Sequence, residues 1–148
     1  MNAHVRSGLP RHVFLDSSGY LAVTSQRDVH HQTAARAWAT FVREGWLTYT
    51  SNYVVAETHA LFLTRLGRGP AARFLAQFDA TATVVLQVRP ADQERARQLV
   101  FQYDDKTFSF TDATSFVLME RLRIGVALTT DHNFAQYGFQ MVGVERRS

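Results

Sequence analysis

Short apolar runs and longer helical stretches take turns along this chain, and that alternation restricts the fold more than any other feature. Val13 to Leu15 and Leu47 to Thr50 read as strands, followed by Thr83 to Val88, Val126 to Thr129 and a last run near Met141 to Val144. Between them lie a short helix from Ser17 to Val23 and an amphipathic helix from Thr33 to Glu44. The latter turns Ala34, Ala37, Trp38, Phe41 and Val42 inward and closes at Gly45. Helices over Tyr53 to Leu66, Ala71 to Phe78, Pro90 to Gln102 and Thr111 to Leu122 follow, with Gly67-Arg68-Gly69-Pro70 separating the first two. Thr24 to His30 and Tyr103 to Thr107 read as loops, and Asp131 to Gly138 as a turn. Strands separated by helices predict an α/β chain with a central parallel sheet between helical layers, and in such sheets sites form at the carboxyl ends of the strands.

The chain has 148 residues, 46% of them hydrophobic, enough for one core and too few for two. We expect a single domain over residues 13–144, a loose polar arm over 1–12 and a short tail over 145–148. No run approaches the roughly 20 apolar residues of a membrane span, and the first dozen residues lack an apolar secretory core, so a cytoplasmic protein is expected. With no cysteine, disulfides and thiolate metal sites are excluded.

Four acids stand where apolar residues would be expected. Asp16 ends the first apolar run, Glu57 interrupts the stripe of Val54 and Leu61, Asp112 opens a helix, and Asp131 follows the strand Val126 to Thr129. Each alone has a plainer explanation. Asp16 can cap the next helix, Asp112 completes a Ser-x-x-Asp capping box with Ser109, Asp131 lies in ordinary turn composition, and Glu57 can pair with a buried arginine. All four at strand ends or on an inward helix face call for a compensating cation, because unpaired buried carboxylates are costly. Oxygen-only ligands favour Mg²⁺ or Mn²⁺ over Zn²⁺, and such an arrangement suits phosphodiester hydrolysis.

Four blocks carry a family resemblance: Phe14-Leu15-Asp16-Ser17-Ser18, Ser51-Asn52-Tyr53-Val54-Val55-Ala56-Glu57-Thr58, Phe108-Ser109-Phe110-Thr111-Asp112-Ala113 and Leu128-Thr129-Thr130-Asp131-His132-Asn133-Phe134. In this order they resemble the PIN-domain ribonucleases, above all the VapC-type toxins of toxin–antitoxin pairs. The resemblance implies a PIN-like three-layer α/β/α fold and an Mg²⁺- or Mn²⁺-dependent endoribonuclease. It implies a catalytic and metal-binding quartet of Asp16, Glu57, Asp112 and Asp131, with Ser17 as an assisting hydroxyl. A homodimer and a small antitoxin whose tail enters the acidic site are further implications. One departure is Asn133, where some relatives carry another acid, so one metal is the safer expectation; Asp105 is an auxiliary candidate from its loop.

Setting the quartet aside leaves nine acids against sixteen cations, a balance of +7, and all the cations but Lys106 are arginines. The guanidinium fork matches phosphate oxygens, and Arg36, Arg43, Arg65 and Arg68 are candidates for holding RNA. Rival readings fit less well. A phosphoaspartate receiver needs a lysine at a late strand end, and a dehalogenase-like phosphatase needs a second Asp where Ser18 stands. A catalytically inactive PIN-like RNA-binding or scaffold protein remains the alternative.

Overall fold

The computed structural model describes residues 11–145; the expected arm, apart from Arg11 and His12, and residues 146–148 of the expected tail lie outside the described residues. Five parallel strands form one sheet in the order β3-β2-β1-β4-β5. They are β1 (His12–Leu15), β2 (Leu47–Ser51), β3 (Val84–Leu86), β4 (Val126–Leu128) and β5 (Gln140–Val142). The helices are α1 (Ser17–Thr24), α2 (His31–Arg43), α3 (Asn52–Arg65), α4 (Arg68–Ala76), α5 (Pro90–Gln102), α6 (Phe110–Leu122) and α7 (Asn133–Tyr137), with a 3₁₀ turn at Gln77–Ala80.

Side chains on a strand alternate between faces, and the core divides accordingly. Phe14 and Ala127 join Val54, Leu99, Phe108, Phe116, Met119 and Phe134 on one face. Val13, Leu15 and Leu128 meet Phe41 on the other, against α2. Helix α6 is buried from Asp112 through Met119, so it runs through the interior instead of lying on the surface. A third cluster of Phe62, Ala71 and Phe74 locks α3 to α4.

Several boundaries differ from the sequence reading. Val42 is 64% exposed because α2 turns only one narrow side to the sheet, with Ala34 and Phe41 buried on it. The inward stripe of α3 is Val54, Thr58 and Phe62, so Glu57 sits on its flank and not in its centre. The expected turn at residues 131–138 contains the short helix α7, anchored by the buried Phe134, and ends at Gly138 with φ 126°. Strand β3 is shorter than expected, because beyond Leu86 the chain leaves the ladder to enter α5. His12, placed in the arm from sequence, belongs to β1, and Leu47 donates its N–H to the Arg11 carbonyl.

Strand order reverses direction between β1 and β4, the two strands whose carboxyl ends lead to Asp16 and Asp131. That is the crevice where open parallel sheets place their sites. Helix α1 leaves β1 so close to β4 that a Cβ added to Gly19 would meet the Leu128 carbonyl oxygen at 2.2 Å. Only glycine permits this approach.

Candidate active site

Asp16 occupies the N-cap position of α1, yet its side chain makes no capping bond. Its Oδ2 instead accepts hydrogen bonds from Thr129 Oγ1 and Ser18 Oγ, both at 2.9 Å. Ser18 Oγ in turn accepts the Thr130 N–H at 2.9 Å, and Thr129 Oγ1 accepts the Asp131 N–H at 3.0 Å. Two hydroxyls therefore stitch the end of β1 to the end of β4.

Asp112 does complete the capping box of α6: its N–H reaches Ser109 Oγ at 2.9 Å, and its Oδ2 accepts the Ser109 N–H at 3.1 Å. The same Oδ2 accepts from the Asn133 side-chain amide at 3.2 Å. Structural capping and a place in the site are thus carried by one carboxylate. Among the described residues Glu57 has no arginine partner; its Oε1 accepts from the Ser17 hydroxyl. Asp131 accepts the Asn133 N–H at 2.9 Å in a local turn, the plainer reading of that residue, while its charge acts on Asp112.

The four acids form one electrostatic group. Burial pushes the Asp16 carboxyl up to about 7, repulsion from Asp112 and Glu57 adds to this, and the bonds from Thr129 and Ser18 work against it. Burial also raises Asp112, helped by repulsion from Asp131 and Glu57 and opposed by Ser109 and Asn133. Among the described residues the ion pairs are Arg11–Glu44, Arg97–Glu94, Lys106–Asp105 and Arg121–Asp92, so none neutralises the quartet. Among the described residues no cation offsets the charge these carboxyls would carry when ionised.

Asp105 stays apart: its side chain is 71% exposed, pairs with Lys106, and influences neither Asp16 nor Asp112. Arg36, Arg43, Arg65 and Arg68 are all exposed. Arg43 ends α2 ahead of β2, toward the amino ends of the strands and so away from the acids. Arg65 lies about 12 Å down α3 from Glu57, at 1.5 Å per residue. There it lines a basin of about 900 Å³ with Arg27 and Arg73. Sequence reasoning missed Thr129, Ser18 and Asn133 as supports. The available signal was a cluster of hydroxyl and amide residues beside two of the acids, which reads equally well as turn composition.

A five-stranded parallel sheet flanked by helices, with acids gathered at its switch point, defines a PIN domain: the PIN domain family model matches residues 13–140, and the chain belongs to that family. Its relatives narrow the class. The chain is 33% identical over 133 residues to the 23S rRNA-specific endonuclease VapC20 of Mycobacterium tuberculosis, covering 90% of this chain and 99% of the relative. Ribonuclease VapC26 of the same organism is 33% identical over 81 residues, 55% of this chain and 60% of the relative. The crystal structure of VapC20, described as a sarcin–ricin loop cleaving toxin, superposes with a TM-score of 0.80 across 92% of this chain and 99% of that one.

Proposed function

We propose that this chain is a VapC-type toxin, an endoribonuclease that hydrolyses RNA phosphodiester bonds with Mg²⁺ or Mn²⁺ held by Asp16, Glu57, Asp112 and Asp131. The observation that carries the reading is the pair of buried carboxylates, Asp16 and Asp112, both raised by burial and repelled by their neighbours, with no protein cation beside them among the described residues. The donor set suits a hard ion. Among the described residues no three acidic or histidine side chains close into a ready cage.

When bound, the ion would lower the pKa of water and stabilise the attacking and leaving oxygens. The chain's own residues set the geometry. Thr129 and Ser18 fix the Asp16 carboxylate, Ser109 and Asn133 fix Asp112, and the Ser17 hydroxyl orients Glu57. Supports of this kind keep ligands from rotating away as charge builds up in the cleft.

The specificity named for VapC20 makes the sarcin–ricin loop of 23S rRNA the first substrate to test. A homodimer, a small antitoxin with a basic tail and a cytoplasmic location complete the proposal; no helix among the described residues is long and apolar enough to cross a membrane. The test is cleavage of a sarcin–ricin hairpin by purified protein. EDTA should abolish it and Mg²⁺ or Mn²⁺ restore it. Full cleavage in chelator would overturn the metal mechanism, and no cleavage under any metal would favour the inactive RNA-binding alternative.

A further inference from the structure

We propose that Phe110, backed by Tyr53, is a stacking surface that holds one unstacked base of the RNA strand beside the acidic cleft, a reading that rests on the ribonuclease function above. In Phe108-Ser109-Phe110 the two rings part company. Phe108 is 7% exposed and joins the core, whereas Phe110 stays 40% exposed. Phe110 is the first residue of α6, and the Ser109–Asp112 capping box fixes that turn, so the ring is held two residues ahead of Asp112. Tyr53 precedes Glu57 by one turn on the same side of α3. The two rings meet edge-on, with centroids 5.9 Å apart and planes at 64°.

A single exposed apolar residue would mean little. Here two aromatics bridge the first turns of the two helices that carry Glu57 and Asp112. Both helices start at the carboxyl ends of the strands, where the acids lie, since α3 leaves the carboxyl end of β2 and α6 runs back to enter β4. An edge-on contact cannot cover both faces of either ring, and Phe110 is a partly exposed residue. The ligand chemistry that matches is a nucleobase. Each base offers a flat face, and RNA is recognised chiefly in loops where bases are splayed from the helix. Holding such a base fixes the adjoining phosphate over the carboxylates without reading base identity. Phe110 therefore acts on substrate binding and presentation, and carries no proton.

The experiment has a binding arm and a cleavage arm. In the first, full-length protein in EDTA is titrated into a single-stranded RNA carrying 2-aminopurine, whose fluorescence is quenched by stacking on an aromatic ring. Wild type and Phe110→Trp should quench, while Phe110→Ala and Phe110→Leu should bind about tenfold more weakly, the scale of one lost base stack. In the second arm, Phe110→Ala should raise KM about tenfold on the hairpin and leave kcat within about twofold. Equal quenching and equal KM for wild type and Phe110→Ala would overturn the proposal. Quenching that depends on Phe110, in a protein that cuts no RNA with any metal, would support the stacking surface and sink the ribonuclease reading instead.

Discussion

Asp16 shows how one buried carboxylate links stability to chemistry. Its folded-state pKa lies near 7 against an ordinary 3.8, so between those values the folded protein keeps a proton that the unfolded chain has released. Stability from this group is full below the lower value and is lost as pH rises through the upper one, at up to about 1.4 kcal/mol per pH unit. Metal-free wild type should therefore lose stability relative to Asp16→Asn as pH climbs from about 4 to about 7. Urea midpoints in EDTA across that range measure the difference, and parallel curves would refute it. The same substitution should abolish cleavage, relieve growth arrest on expression, and leave the metal-free fold as stable or more so at neutral pH. Thr129 is the complementary case. Thr129→Val keeps the shape but removes the hydroxyl that serves Asp16 and the Asp131 N–H. It should raise the Mg²⁺ concentration for half-maximal cleavage by about tenfold or more and cost about 1–3 kcal/mol in chemical denaturation.

Elements reach the site by close packing more than by length. Helix α1 carries Asp16 at its cap and Ser17 and Ser18 in its first turn, and it is seated against the end of β4 through Gly19. Gly19→Ala would force a methyl into the Leu128 carbonyl, so the helix or the strand end must move. The expected loss is about 1–3 kcal/mol, as for other overpacked interiors. Because the shift displaces three site residues at once, cleavage should fall far more than stability does. A Gly19→Ala protein with normal kcat and a normal urea midpoint would show that α1 is freer than the packing indicates. Helix α6 makes the opposite use of packing, since its burial along eight consecutive residues leaves Asp112 little room to relax.

Across the whole molecule, charge is divided between an acidic crevice and a body rich in arginine. RNA affinity should fall steeply with rising salt, because neutralised phosphates release counterions. Arg65 is the most informative of the four arginine candidates, since it shares a basin with Arg27 and Arg73. Arg65→Gln should weaken binding to all RNA sequences and reduce the slope of log Kd against log salt by about one. Arg43→Gln should change neither, given its place toward the amino ends of the strands. Unchanged binding for Arg65→Gln would leave the basin without a role in holding RNA.

Sequence alone determined the alternation of strands and helices, because apolar period and glycine or proline punctuation are local properties. It also singled out Asp16, Glu57, Asp112 and Asp131, since a charge at a strand end or beside an apolar stripe conflicts visibly with its surroundings. What it left undecided was which plain explanation each acid satisfied. Asp112 caps its helix as well as standing among the four acids, Asp16 is a cap by position only, and Glu57 accepts from a serine and, among the described residues, pairs with no arginine. Those outcomes depend on Thr129 lying 113 positions from Asp16 and Ser17 lying 40 from Glu57, contacts made by sheet order and not by spacing. The same holds for the arginines, whose nearness to the cleft is set by the direction each helix runs from the sheet. Local pattern fixes what an element is, and only the closed tertiary structure, with its burial and its strand order, fixes what each side chain faces.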